Sequence, residues 1–332
     1  MKPKIGIYRK SFCVSWLCLL MFVVSHIAHA KLKIYYMPTG RWERNLWRMD
    51  INGANKELVL ESPVPMSWPT LSPDGKQILF TLPPFLKPEL MVINLDGSGL
   101  RKLLADPPRP FNFNMDGEWS PDGKWIVYEA FDPDLRPSSK VYVTDAQGFN
   151  SFQIAPDIEA NMSRPFWSPD SKRIGFTVGK RGAKLHWVDA DPNAKAKEMN
   201  HRFFAHWIRW SPNGKQTIVY GSIEEWGHWD LFLGDAPARN LVLLNDEANL
   251  GGAQWLPDNE HIVGTSGVDH HNGVAEVDVV VVNVDTQEVQ RLTDDGQSVF
   301  VFWHDAALAV EPAGKLSTSW GAIKSEVRDA NK

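Results

Sequence analysis

Short apolar runs alternate with polar turns along almost the whole chain. QILFTL (77–82), WIVYEA (125–130), RIGFTV (173–178), TIVYGS (217–222) and HIVGTS (261–266) are each followed by a variable stretch and then a second run: ELMVINL (89–95), KVYVTDA (140–146), KLHWVDA (184–190), DLFLGDA (230–236) and DVVVVNV (278–284). A third, shorter run follows in RKLL (101–104), SFQIA (151–155) and VQRLT (289–293). These runs are short, rich in β-branched and aromatic residues and bounded by Gly, Pro, Asn and Asp, so they read as strands.

One turn separates the units and is written five times: LSPDGKQ from 71, WSPDGKW from 119, WSPDSKR from 167, WSPNGKQ from 210 and WLPDNEH from 255. A sixth Trp-type position follows at Trp303, where the turn itself has decayed. The intervals of 48, 48, 43, 45 and 48 residues fall in the range of propeller blades. Counting the run that ends at the Trp, each unit holds four strands, the content of one blade. The expectation is an all-β, six-bladed β-propeller, with seven blades as the alternative if the segment after Trp303 adds strands. KIYYM and NLWRMDINGANKELVL supply the second to fourth strands of a split blade, and SVFVFW supplies its first. Joining the two parts closes the ring and removes an exposed sheet edge.

The turn chemistry is scaffold chemistry. Pro presets φ at the first turn position, Asp accepts backbone N–H groups, and Gly takes the left-handed conformation. Trp119, Trp167, Trp210, Trp255 and Trp303 are expected to pack between neighbouring blades, because one blade cannot bury both of its faces.

The repeat W-S-P-D-G-K followed by an alternating apolar strand resembles that of the TolB-like propellers, also described as WD40-like or PD40 repeats, over residues 31–303. It is not the WD40 class proper, since Trp229-Asp230 is out of register. TolB itself carries an α/β domain ahead of its propeller, which contacts the inner-membrane part of its envelope complex. Here the first strand is expected almost at the start of the exported chain. The resemblance thus implies a propeller without that domain, in the periplasm or secreted, with a protein or envelope component as partner. The same repeat occurs in prolyl-oligopeptidase-like peptidases and in oligogalacturonate lyases. A peptidase needs a G-x-S-x-G elbow, and DGSGL and GTSGV both fail its spacing. A lyase resemblance implies a metal held by His side chains.

Composition is that of an ordinary globular chain, with 43% hydrophobic and 23% charged residues. The first thirty residues stand apart: Lys2, Lys4, Arg9 and Lys10 precede an apolar stretch from Phe12 to Val24, and Ala28-His29-Ala30 forms an A-x-A site. The expected organisation is a secretory signal peptide over 1–30, the propeller over 31–325 and a tail over 326–332, with no transmembrane segment after cleavage. Cleavage lowers Lys+Arg from 35 to 31 against 40 Asp+Glu, so the mature chain is acidic and lacks the basic stripe that nucleic acid needs. Cys13 and Cys18 leave with the leader, which removes disulfides and thiol chemistry.

Function is expected on the variable face, on the loops opposite the repeated turns. Trp42, Trp226 and Trp229 are candidate aromatic anchors, and Arg41, Arg44, Arg136 and Arg164 candidate partners for carboxylates. Asn114, Asp116, Arg164, His206 and Asn249 are expected near the channel, and His228 lies in the Trp-rich loop EEWGHW. No cofactor is expected. The open alternative is a divalent metal drawn from Glu224, Glu225, His228, Asp269, His270 and His271, serving a lyase or hydrolase on an acidic polysaccharide. No spaced ligand motif supports it.

Overall fold

The computed structural model describes residues 32–38, 45–83, 87–106, 108–179, 184–199, 204–222, 230–244, 250–266, 277–294, 296 and 298–305. They form six antiparallel four-stranded sheets. Strands β1 (Leu32–Pro38), β2 (Leu46–Asp50) and β3 (Glu57–Leu60) open the chain. The first blade is β4 (Ser67–Leu71), β5 (Gln77–Thr81), β6 (Leu90–Asn94) and β7 (Arg101–Lys102). The second is β8 (Phe113–Trp119), β9 (Trp125–Phe131), β10 (Ser139–Asp145) and β11 (Phe152–Gln153). The third is β12 (Met162–Trp167), β13 (Arg173–Val178), β14 (Lys184–Asp189) and β15 (Lys197–Glu198). The fourth is β16 (Phe204–Trp210), β17 (Gln216–Ser222), β18 (Asp230–Asp235) and β19 (Arg239–Leu243). The fifth is β20 (Gly251–Trp255), β21 (His261–Ser266), β22 (Asp278–Asn283) and β23 (Val289–Arg291). The sixth blade is the split one, in the order β24 (Ser298–Asp305), β1, β2, β3. Leu32 pairs with Asp305 and Ile34 with Trp303, so the ends close the ring as the split pattern predicts. The innermost strands touch in sequence around the ring, from β24 to β4 and on through β8, β12, β16 and β20 back to β24.

The core is six wedges, one between each pair of neighbouring blades. Ile78 and Phe80 pack toward the sixth blade with Tyr35, Met37 and Met66, while Leu79 between them packs toward the second with Trp119 and Tyr128. Val279 and Val281 face the sixth blade, and Val280 and Val282 the fourth. Alternate side chains of a strand point to opposite faces, so a sheet covered on both sides needs apolar residues at every position. That is why the middle strands read as unbroken runs. Trp119, Trp167, Trp210 and Trp255 each pack against the preceding blade.

The repeated turn is a closed hydrogen-bond unit. Ser72 Oγ donates to Asp74 Oδ1 at 2.7 Å and accepts the Gln77 N–H at 2.9 Å, while Asp74 Oδ1 accepts the Lys76 N–H at 3.1 Å. The same pattern recurs at Ser120–Asp122 and Ser168–Asp170. Asp170 sits below the usual carboxylate range because of the Ser168 hydroxyl. At Asp74 and Asp122 partial burial pushes the other way, but the Ser hydroxyl and Lys N–H outweigh it. The left-handed turn position is glycine at Gly75, Gly123 and Gly214, but Ser171 and Asn259 occupy it in the third and fifth blades. There the side chain ties one blade to the previous one: Ser171 Oγ accepts the Asp122 N–H at 3.1 Å, and Asn259 Oδ1 the Asn213 N–H at 2.8 Å. These departures from the motif are staples between blades.

Candidate functional site

Of the residues that the sequence singles out for binding, Arg164 and His206 lie on described inner strands. Arg41, Trp42, Arg44, Trp226, His228 and Trp229 lie outside the described residues, as do the metal candidates Glu224, Glu225, Asp269, His270 and His271, the leader at 1–30 and the tail. Among the described residues no group of three His, Cys, Asp or Glu side chains is arranged to hold a metal ion. Asn114 and Arg136 both make hydrogen bonds within the ring. Asn114 is buried and its Oδ1 accepts the Leu90 N–H of the first blade at 2.5 Å. Arg136 donates to the carbonyls of Pro133, at 2.7 Å, and Leu135, closing its own loop.

Every blade has an irregular inner strand. The register shifts between Ser67 and Thr70, Met115 and Glu118, Ser163 and Phe166, Ala205 and Trp207, and Gly251 and Gln254, and opposite Tyr35–Met37 in the closing blade. Three places before the Trp-type position, the backbone is left-handed at Trp68 (φ 52°), Asp116 (52°), Arg164 (52°) and Gly252 (57°). A bulge leaves one residue out of the ladder and re-aims its side chain. A left-handed non-glycine residue costs about 1–2 kcal/mol, so the surrounding ring must hold it.

These bulges gather charges from the second, third and fourth blades. Glu118 Oε1 accepts the Trp167 N–H at 3.0 Å, and Arg209 Nη2 lies 3.5 Å from Glu118 Oε2. Arg209 lies over the rings of Phe166 and Trp207, at 5.7 and 5.9 Å from their centroids. The Asp116 N–H donates to Thr81 Oγ1 of the first blade at 3.3 Å. Burial pushes the Asp116 carboxyl up against the pull of the Arg164 and Arg209 charges, and it pushes up Glu118 against Arg209 and the Trp167 N–H. Glu129, 7% exposed, is pushed up to about 8, first by burial and then by the neighbouring Asp116, although the Arg164 N–H and Ser139 hold it in the other direction. Burial lowers Arg164, opposed by Asp116 and Glu129. Glu118 and Arg209 keep a quarter and a third of their side-chain surface in contact with water, so solvent screens that pair more than it screens Glu129.

The arrangement is three carboxyl groups facing two guanidiniums, with burial pushing all three carboxyls up and Glu129 to about 8. Such a group can exchange protons, and structural ion networks create the same perturbation. His206 stands edge-on to Tyr220 at 5.8 Å, and Trp207 stacks on the same ring at 5.4 Å. Asp116 and Arg164 were singled out in the sequence, and both lie on inner strands. Glu118, Glu129 and Arg209 were missed, and the column of residues next to each repeated Trp, read across the blades, is the signal that finds Glu118 and Arg209.

No protein-family model matches the chain. The Aspergillus clavatus protein named "Probable dipeptidyl-peptidase 5" is 24% identical over 181 residues, covering 47% of this chain and 25% of that protein. The chain thus spans about a quarter of the length of that curated relative. Among solved structures, TolB from Acinetobacter baumannii superposes with a TM-score of 0.63 at 17% identity, covering 83% of this chain and 67% of that one. A TolB candidate from Agrobacterium tumefaciens gives 0.61 at 18% identity, covering 82% and 98%. An oligogalacturonate lyase from Vibrio parahaemolyticus gives 0.52 at 12% identity, covering 78% of both chains. With its six four-stranded blades closed by the two ends of the described chain, the molecule is a TolB-like β-propeller in fold.

Proposed function

We propose that the chain is an exported, non-catalytic binding module, periplasmic or secreted, that presents its variable loop face to a protein or envelope component. The reading rests on the charges gathered at and behind the inner strands. Glu118 is held by Trp167 and Arg209, and Glu129 by Arg164 and Ser139, so the ring's own donors engage these carboxyl groups and recognition falls to the loops around the rim. Trp42, Trp226 and Trp229 are the anchors in this reading, with Arg41, Arg44, Arg164, His206 and His228 as further contacts, since rim aromatics carry a disproportionate share of binding energy.

The test is capture of envelope proteins by immobilised chain 31–332. Replacing Trp226 and Trp229 by Ala abolishes capture with little change in stability, and replacing Lys76 and Lys124, exposed on the turn face, leaves it intact. The reverse result places the interface on the other face. A stoichiometric divalent ion in the purified protein, together with cleavage of an acidic polysaccharide, replaces this reading with a metal-dependent lyase or hydrolase.

A further inference from the structure

The turn face carries one junction unlike the others. Six residues after the Trp-type position, the blades present Gln77, Trp125, Arg173, Gln216 and His261. Gln77 Nε2 donates to Asn94 at 3.2 Å, Trp125 meets Phe152 edge-on at 6.2 Å, and His261 Nδ1 lies 2.9 Å from Asp258. Arg173 alone presents a guanidinium, and among the described residues that guanidinium donates no hydrogen bond and makes no ion pair. It lies 5.5 Å from the ring centroid of Trp187, and Lys197, also without an ion pair among the described residues, lies 4.7 Å from the same ring.

The sheet explains how this arrangement arises. Trp187 pairs with Gly175 on one side and Lys197 on the other. Gly175 is required there, since a Cβ would come within 2.0 Å of the Phe166 ring. At the matching places in the second blade, the trio is Trp125, Val143 and Phe152. The third blade has cations where the second has Trp125 and Phe152, and an indole where the second has Val143. Cation–π contact fixes the direction of a long side chain without neutralising it.

Beside them, between the third and fourth blades, is an open pocket of about 310 Å³ lined by Pro169, Asp170, Arg173, Trp210, Pro212, Asn213 and Gly214. The prolines and the indole make apolar walls. Asp170 Oδ1 accepts from Ser168 and Lys172, while its Oδ2 accepts no hydrogen bond among the described residues. The pocket therefore offers guanidinium donors and a carboxylate acceptor near enough for the Arg173 charge to act on Asp170, with the prolines and the indole beside them.

We infer that this pocket is a binding site for a small monocarboxylate whose body is one sugar ring or one acylated amino acid. Its carboxylate lies on Arg173 with Lys197 nearby, and a hydroxyl or amide N–H donates to Asp170. A fork of parallel N–H groups suits a carboxylate bidentately. Asp170 disfavours a second negative charge, which excludes polyanions. The site stands apart from the loop face and does not depend on whether that face captures a partner.

Titration calorimetry on the full chain tests it, with sodium glucuronate and N-acetylalanine as probes and glucose and N-acetylalanine amide as their neutral counterparts. Saturable binding of either acid is expected, at least tenfold tighter than its neutral counterpart and weakened by added salt. The tighter acid identifies whether the carboxylate comes from a sugar or an amino acid. Arg173→Gln weakens that binding at least tenfold, and Gln77 and Gln216 show that the repeat accommodates glutamine there. Lys197→Gln, on an exposed edge, gives a second and smaller loss. The inference fails if neither acid binds at tens of millimolar, if the neutral compounds bind equally well, or if Arg173→Gln binds as tightly as the parent.

Discussion

Arg209 of the fourth blade reaches across the inner strand of the third to lie 3.5 Å from Glu118 of the second. Blades that share no wedge of core are thereby linked, and the same carboxylate accepts the Trp167 N–H of the blade between them at 3.0 Å. Because both side chains keep some contact with water, the charge pairing contributes little and the hydrogen bond to the backbone dominates. Glu118→Ala is expected to destabilise the fold by about 1–3 kcal/mol, since it leaves a buried N–H unpaired. Glu118→Gln retains an acceptor and loses less. Urea denaturation of the two variants separates them, and equal losses would show that the charge matters more than the hydrogen bond.

Stability is expected to fall as pH rises through the neutral range. The Glu129 carboxyl moves from an ordinary value of 4.5 to about 8 on folding, so the folded chain holds a proton that the unfolded chain has released. Its contribution is fully present below about 4.5 and is lost as pH climbs through about 8. The slope between those limits approaches about 1.4 kcal/mol per pH unit. Glu129→Gln cannot titrate, so its denaturation profile should be flatter over this window. A difference profile without slope between pH 5 and about 8 would mean that Glu129 ionises normally.

Asn259 serves two purposes, which two substitutions can separate. Asn259→Gly keeps the left-handed backbone and loses the staple to Asn213 and the exposed bond from Nδ2 to the Pro257 carbonyl at 3.2 Å, about 0.5–1.5 kcal/mol for each. Asn259→Ala loses the same two bonds and adds the left-handed strain of about 1–2 kcal/mol. Thermal melts should rank parent, Gly, Ala in falling order. An alanine variant as stable as the glycine one contradicts the left-handed assignment.

Two substitutions in the third blade probe the wedge packing from opposite directions. Trp167→Ala removes an indole that is 5% exposed and bonded through Nε1 to the Glu118 carbonyl at 3.2 Å, and about 3–5 kcal/mol should be lost to the cavity. Gly175→Ala adds one methyl group against the Phe166 ring, where overpacking costs about 1–3 kcal/mol or more. Gly175→Ala with Phe166→Leu should recover part of that loss, and a double variant no better than the single one would place the strain elsewhere.

The fold was legible because each blade repeats the same solution to the same problem. A Ser, an Asp and a left-handed residue at fixed spacing close the turn, and a Trp fills the wedge behind it, so five imperfect copies reinforce one reading. The split blade was legible for the same reason: its strands were missing from one end and present at the other. The inner-strand bulges were not legible, because left-handed Trp68, Asp116 and Arg164 share no residue type that announces the conformation. Ser171 and Asn259 stand where other copies of the motif have glycine, and each adds a bond between blades that the motif alone does not show. The charged centre was read only in part. Glu129 lies inside a strand whose other residues are apolar, and nothing local shows that Asp116 and Arg164 are beside it.

The pairing of Leu32 with Asp305 also sets the order of events in the life of the molecule. Strand β1 is made early and its partner β24 late, so β1 waits with a bare backbone edge while the wedges between later blades assemble. Contacts so distant along the chain form slowly, because loop-closure entropy must be overcome before they reward the chain. During that wait β1 is open to the edge strands of other copies, and dilution or a holding chaperone should raise the yield of refolded protein more than any change inside a single blade. Once β24 docks, losing any one blade opens the whole circle, so the ring resists fraying as a unit.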